Sequence, residues 1–414
     1  MSLLVLSTIG PYCFDDIQIR GSTMEIQRKL IHNNSIRPYS ALFIRLLGTT
    51  LFIIGCAGVP RTSMTLPIEE EVVFQSGENE INGILALPPT AGPHPAIILL
   101  HGSDRGDGDT PYHRVHSDQF NQSGFAVLRY DSPGAGKSTG STAFETFEYR
   151  TREAIAAVKY LQSRVDITAD RVGLWGISQG GWICQMAAAE YDSVAFIIPV
   201  SGPGVTVPEQ EVYRVEMQSR AAGFNEDDVS KAVLMRRLIV DIAMLEPVFR
   251  EINQDDGARL GSGPWNELID LVYPPAPLDP ATELERAIRI FDAVKEESWS
   301  EFLYVDKILS MLEGLPPEHW EASKRQIRYI MDVDPVDYLP RVHCPVLAIF
   351  GGADTVIPVE KSVTLYEQYL HEAGNEHFVI KVIPNANHNI KIDGEFAPSY
   401  FSTISDWLEN LRLE

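Results

Sequence analysis

The stretch Gly176-Ile177-Ser178-Gln179-Gly180 constrains this chain more than any other. It reads Gly-x-Ser-x-Gly, and it lies between a short apolar run, Arg171-Val172-Gly173-Leu174-Trp175, and a helix-forming run from Gly181 to Ala189. A serine at such a strand-to-helix turn is held on a strained backbone with its hydroxyl exposed above a sheet. Glycine is needed on either side because a Cβ would collide with the neighbouring strand or helix. Three fixed positions in five recur by chance, so the rest of the chain is read for elements that complete the arrangement.

Those elements are present. Glu71–Gln75 and Ile81–Leu87, joined by Ser76-Gly77-Glu78-Asn79, carry a hairpin signal. Further strand-like runs are Ala96–Leu100, Phe125–Tyr130, Val194–Ile198, Val346–Phe350 and Phe378–Ile383. They are short, continuous and rich in branched residues, with helical stretches between most of them. Parallel strands buried on both faces have this composition. Thr142-x-x-Glu145 is a candidate capping box opening the helical run to Leu161. The expectation is a mostly parallel α/β sheet flanked by helices, with a site in the crevice at the carboxyl ends of its strands.

Serine is a poor nucleophile until a base takes its proton. Of the ten histidines, His388 alone follows the last strand, in the turn-rich loop Pro384-Asn385-Ala386-Asn387-His388-Asn389. His371 and His377 precede that strand and belong at the opposite end of the sheet. An orienting carboxylate is supplied by Asp354, directly after a strand in Phe350-Gly351-Gly352-Ala353-Asp354. Ser–Asp–His is the chain order of one serine hydrolase fold and not of the others. On these three motifs the chain resembles the α/β-hydrolase superfamily, of the dienelactone-hydrolase and prolyl-oligopeptidase-like esterase/peptidase kind, over about residues 71–204 and 332–414.

The resemblance implies more. One oxyanion donor comes from a backbone N–H beyond the His-Gly pair that ends the third strand. In His101-Gly102-Ser103 this position is Ser103, and the second donor is the N–H of Gln179. His101 itself is expected to brace that loop rather than act as a base. Asp131-Ser132-Pro133-Gly134-Ala135-Gly136-Lys137-Ser138 resembles a turn common in the superfamily, whose aspartate braces loops near the site. A phosphate-binding reading of Gly136-Lys137-Ser138 fails, because the required glycine five residues earlier is Asp131. Asp104–Asp109 with His113 and His116 fits neither an EF-hand nor a zinc pattern, so it is expected to be a solvated loop at the cleft mouth.

Roughly 140 residues separate Pro203 from Cys344, far more than an ordinary α/β connection. Helical patterns over Glu209–Gly223, Asp227–Gln254, Thr282–Glu313 (with interruptions) and Glu318–Met331 predict a helical cap inserted before the penultimate strand. Its aromatic residues Trp265, Tyr273, Trp299 and Trp320 belong either to the cap core or to a substrate pocket, with the core preferred. Residues 203–340 hold 14 Lys/Arg against 27 Asp/Glu, a balance of −13, which disfavours strongly anionic substrates such as acyl-CoA. The whole chain, at a formal −23, is unsuited to phosphate backbones, so nucleic acid is not an expected partner. Four cysteines in 414 residues make no disulfide framework, and Cys184 and Cys344 are expected to be buried and inert.

The first sixty residues differ in kind. Met24 is a possible alternative start, and Arg28, Lys29, Arg37 and Arg45 precede the ten-residue apolar run Leu46–Gly55 and Cys56. Ten residues are too few to span a bilayer but suit an export signal. Ile53-Ile54-Gly55-Cys56 resembles the lipobox of bacterial lipoproteins, departing from it at Ile53. That resemblance implies an acylated Cys56 and anchoring at the periplasmic or cell-surface face of a bacterial membrane. A buried or membrane-associated helix ending at Cys56 is the other reading, and without a signal the location would be cytoplasmic. The organisation expected is 1–55 extension and signal, 56–70 tether, 71–204 and 332–414 hydrolase core, and 205–331 cap.

The sequence therefore predicts a serine hydrolase cleaving carboxylic esters or related acyl bonds, with Ser178, His388 and Asp354 as its triad. No metal or organic cofactor is implied, and the partner is a small acyl ester or short peptide. An aminopeptidase or oligopeptidase on the same scaffold is the alternative, because the motifs do not separate amide from ester. A non-catalytic binding lipoprotein is the alternative of another class.

Overall fold

The computed structural model describes residues 67–141, 146–244, 248, 272–273 and 277–411. Cys13, Met24, Cys56, Thr142–Glu145 and Trp265 lie outside the described residues. The chain opens with β1 (Ile68–Ser76) and β2 (Asn79–Leu87), then β3 (His94–Leu100), α1 (Pro111–Gln122) and β4 (Ala126–Tyr130). α2 (Phe147–Gln162), β5 (Ile167–Ile177), α3 (Gln179–Glu190) and β6 (Ile197–Val200) follow. Among the described residues of the insertion come the α-helices α4 (Val207–Ala221), α5 (Glu226–Ala243), α6 (Pro280–Val294), α7 (Val305–Glu313) and α8 (Trp320–Met331). The chain then returns to the sheet with β7 (Val346–Gly351), α9 (Val359–Glu372), β8 (Phe378–Ile383), a short β9–β10 hairpin over Lys391–Ile392 and Glu395–Phe396, and α10 (Tyr400–Asn410).

The eight main strands form one sheet in the order β1-β2-β4-β3-β5-β6-β7-β8. β1 and β2 pair antiparallel, as do β2 and β4, and every pair from β4 through β3 to β8 is parallel. Alternation along β3 shows why its run is continuously apolar. Ala96, Ile98 and Leu100 face a cluster with Ala154, Val158, Trp182, Ile183, Tyr366 and Leu370 from α2, α3 and α9. Ile97 and Leu99 face the other layer, with Phe120 of α1 and Tyr400, Ile404 and Leu408 of α10. With both faces covered, polar residues have no place on such a strand. Each fully buried Ile or Leu contributes about 1.5–3 kcal/mol. This is the α/β-hydrolase fold.

Two local expectations are corrected. α2 begins at Phe147, later than expected, with Thr146 as its cap, the Oγ1 accepting from Tyr149 N at 3.3 Å. β6 starts at Ile197 rather than Val194, because Val194 N is turned back onto Tyr191 O at 3.0 Å.

The insertion builds a core of its own from Val215, Leu238, Phe291, Trp299, Leu309, Leu312 and Trp320. Trp299 and Trp320 are buried there, and Tyr273 donates its hydroxyl to Asp241, so all three are taken up by the cap's own packing. α5 ends at Ala243, well before Gln254. α8 joins the two layers: Trp320 packs into the cap cluster while Ile330 and Met331 pack into the sheet-side cluster. Among the described residues no helix is long and apolar enough to cross a membrane.

Candidate active site

β5 delivers Ser178 into a turn with φ 54° and ψ −118°, and α3 begins at the next residue. A Cβ on Gly176 would sit 2.3 Å from Gly180 O, and one on Gly180 would sit 2.8 Å from both Leu100 O and His101 O. The glycines are therefore required by close approach: the Ser178 turn is packed directly against the backbone that leaves β3. Ser178 N donates to Val200 O at 2.9 Å, which ties the turn to the end of β6.

His388 and Asp354 meet. The Nδ1–H of His388 donates to Asp354 Oδ2 at 2.8 Å, and both residues are buried. The other carboxylate oxygen accepts from Val356 N at 2.7 Å and Ile357 N at 3.1 Å, so the acid is held by three donors. With Nδ1 carrying the hydrogen, the neutral ring presents a lone pair at Nε2. That atom is buried and has no hydrogen-bond partner among the described residues. The loops carrying the pair are zipped together by Gly352 N to Ile383 O at 2.8 Å and Ala353 N to Ala386 O at 2.9 Å. A Cβ on Gly351 would lie 2.2 Å from Asn387 O, so glycine permits this approach.

Other anchors were not singled out from sequence. Ser201, at φ 45° just past β6, donates Oγ–H to His388 O at 2.8 Å. Its signal was only its place at the carboxyl edge of the sheet, one residue after the Val200 that holds Ser178 N. Gln210 and Tyr213 of α4 donate to Val356 O at 2.8 Å and Asp354 O at 3.2 Å. The first cap helix is thus fixed onto the acid loop. Arg150 of α2, buried, donates through Nη1 to Gln179 Oε1 at 3.0 Å and through Nη2 to Gly102 O at 2.9 Å and to His101 O.

The remaining residues fall as follows. His101 Nε2–H donates to Tyr130 O at 2.9 Å, and its ring stands edge-on to His113 at 4.7 Å. Burial holds its pKa below the usual imidazole range. This is the bracing position expected of it. Asp131 accepts from Gly108 N and Lys137 N, each at 2.9 Å, and a Cβ on Gly136 would strike its carboxylate. It braces two loops, as the resemblance implied. The solvated-loop expectation for Asp104–Asp109 holds at Asp104 and Asp107, which are exposed, and needs correction at Asp109 and the two histidines. Asp109 pairs with the buried Arg129 at 2.9 Å, and His113 and His116 are inside the molecule rather than at a cleft mouth. His116 donates Nδ1–H to Tyr112 O at 2.8 Å and accepts from Tyr400 OH at 3.0 Å, and burial lowers its pKa to about 4. His377 precedes β8 at the far edge, with His371 ending α9 nearby. Burial pushes the thiols of Cys184 and Cys344 up, the latter to about 12, although Cys344 as a residue is only half-buried.

At the carboxyl edge of the sheet, then, the chain sets a strained serine, an Asp-oriented histidine and a packed backbone turn. The family described as X-Pro dipeptidyl-peptidase (S15 family) matches residues 80–237, from β2 into α5. Esterase EstD of Thermotoga maritima is 26% identical over 163 residues, covering 37% of this chain and 39% of that protein. Human acyl-coenzyme A thioesterase 1 is 30% identical over 125 residues, covering 30% of this chain and 27% of that one. The matched segment is thus less than half the length of either relative. An esterase of Pyrococcus furiosus aligns in structure with a TM-score of 0.49 at 14% identity, covering 83% of this chain and 91% of that one.

Proposed function

We propose that the protein is a serine hydrolase acting on carboxylic esters or related acyl bonds. The observation that carries this reading is the buried His388–Asp354 pair, with its Nε2 lone pair uncommitted on the edge of the sheet that also ends in Ser178. Both chain segments are also tied to the end of β6, Ser178 N donating to Val200 O and the Ser201 hydroxyl to His388 O.

In this reading Ser178 Oγ attacks the acyl carbon and its proton passes to His388 Nε2. Asp354 keeps the hydrogen on Nδ1 and steadies the imidazolium that forms. The N–H groups of Ser103 and Gln179 receive the charge that develops on the former carbonyl oxygen, and losing one such donor typically costs about 3 kcal/mol. His388 then protonates the leaving group. Water, deprotonated by the same ring, releases the acid and restores Ser178 Oγ–H.

Amide cleavage is the second reading, favoured by the match to the X-Pro dipeptidyl-peptidase family. An acidic cap could also attract a free amine. Comparing kcat/KM on a short nitrophenyl ester and an aminoacyl anilide separates the two; a higher value for the anilide reverses the order. Hydrolysis absent toward every acyl substrate favours a binding protein instead, and hydrolysis unaffected by Ser178→Ala removes this serine from the chemistry. We further propose a lipid anchor at Cys56, supported only by the local lipobox resemblance. Mass spectrometry of membrane-extracted protein should find a mature N-terminus at acylated Cys56. An unmodified Cys56 behind Met1 or Met24 would rule this out.

A further inference from the structure

We propose that Arg150 is a positioning residue that ties the two halves of the oxyanion hole together and sharpens one of its donors, an inference resting on the serine-hydrolase reading above. The two proposed donors come from separate parts of the chain, the loop leaving β3 and the first residue of α3. Nothing in either segment alone fixes their separation. Arg150 reaches both from α2: Nη1 donates to Gln179 Oε1 at 3.0 Å, and Nη2 to Gly102 O at 2.9 Å and to His101 O.

The contact with Gly102 O matters most. Gly102 C=O and Ser103 N–H belong to one peptide unit, planar and trans, so they point in opposite directions. Holding the oxygen from below therefore aims the hydrogen above. A cationic donor on the oxygen also draws electron density from the amide, which strengthens the same unit's N–H as a donor. This is the polarisation expected along chained hydrogen bonds in a low-dielectric interior. Arginine suits the task because its planar fork serves two acceptors on one side and a third from its other nitrogen, whereas a lysine ammonium is a single point. The backbone fit supports this. A Cβ on Gly180 would clash with His101 O, so the Arg150-bound loop and the α3 start are already in close contact.

The test uses the full chain and a nitrophenyl ester, with Arg150→Met, Arg150→Lys, Gln179→Leu and the Arg150→Met/Gln179→Leu double variant. Arg150→Met is expected to lower kcat by about 10²-fold, the scale of a lost oxyanion donor, with KM within about threefold. A trifluoromethyl ketone supplies the second readout. Ser178 Oγ adds to its carbonyl carbon, the serine proton goes to His388, and the carbonyl oxygen becomes the bound oxyanion. Its affinity should fall in parallel with kcat, and Arg150→Lys should recover part of both. Gln179→Leu should cost less than Arg150→Met, and the two should be less than additive. Should Arg150→Met fail to fold by near-ultraviolet circular dichroism, Arg150→Lys and Gln179→Leu carry the same comparison. A folded Arg150 variant with unchanged kcat and ketone affinity, or one altered in KM alone, overturns the proposal. Ser178→Ala in the same assay separates the two levels. If Ser178→Ala is inactive while Arg150 variants keep their kcat, only the role of Arg150 falls. If Ser178→Ala remains active, the parent reading falls and this one with it.

Discussion

Ser178 occupies a backbone conformation that side chains rarely adopt, and Gly176 and Gly180 are what let the surrounding chain tolerate it. The obstacle to a Cβ on Gly176 is Gly180 backbone, which cannot rotate away as a flexible side chain would. Gly176→Ala should therefore cost about 1–3 kcal/mol, the usual scale of overpacking, and lower activity with it. Urea denaturation checks this, and an unchanged midpoint would show that the turn is looser than described. Three buried histidines set a second residue-scale expectation. His101, His113 and His116 all have pKa values depressed mainly by burial, that of His116 to about 4. In the unfolded chain they would bind protons near the ordinary 6.5. Stability should thus be full above about pH 6.5 and decline as pH falls toward 4, by up to about 1.4 kcal/mol per pH unit for each ring while it stays neutral in the fold. Urea midpoints at pH 7, 6 and 5 should fall in that order, and less steeply in His116→Gln. A flat series would contradict the neutral, buried state of these rings.

Among the described elements, α4 joins the cap to the loop that carries Asp354. It meets the acid loop through Gln210 and Tyr213, and beside them Glu211 pairs with Arg214 at 3.0 Å and with Arg236 of α5. All three charged groups are buried, so removing the shared carboxylate takes a buried counter-charge from both guanidinium groups at once. Glu211→Ala should destabilise by about 3–5 kcal/mol, while replacing all three by apolar residues of similar size should recover most of that loss. Chemical denaturation of the parent, Glu211→Ala and the triple replacement decides it, and a mild Glu211→Ala would mean water reaches the cluster.

At this scale sequence and structure can be weighed against each other. The sheet was legible because strands buried on both faces leave continuous apolar runs, and because Ser178, Asp354 and His388 each stand just past such a run. Arg150 was not, since it acts on carbonyls 48 and 49 residues away and on Gln179, 29 residues away, and no local pattern records that. The start of α2 was set too early because several hydroxyl residues precede the helical run, and only the backbone decides where the cap falls, here Thr146. The histidines of α1 read as surface groups next to an acidic loop. Their burial follows from packing against Trp175 and Tyr400, elements far apart in sequence.

For the whole molecule, charge is the property that bears on substrate choice. The chain carries a formal −23, and its cap region shares in that excess. Long-range repulsion should slow association with polyanionic substrates and weaken as salt screens it. Acyl-CoA is accordingly expected to be turned over at least ten times less efficiently in kcat/KM than a neutral ester of the same acyl group. The gap should narrow between 20 and 500 mM salt, and an equal or higher value for acyl-CoA at low salt would show that a local basic patch overrides the average. Beneath every such preference lies the proposed meeting of Ser178 with the His388–Asp354 pair. The most direct measurement is fluorophosphonate labelling of the full chain followed by peptide mapping. The account predicts one stoichiometric adduct on the hydroxyl of Ser178, absent in Ser178→Ala and strongly slowed in His388→Ala. An adduct on another residue, or no adduct on a folded protein, would contradict it.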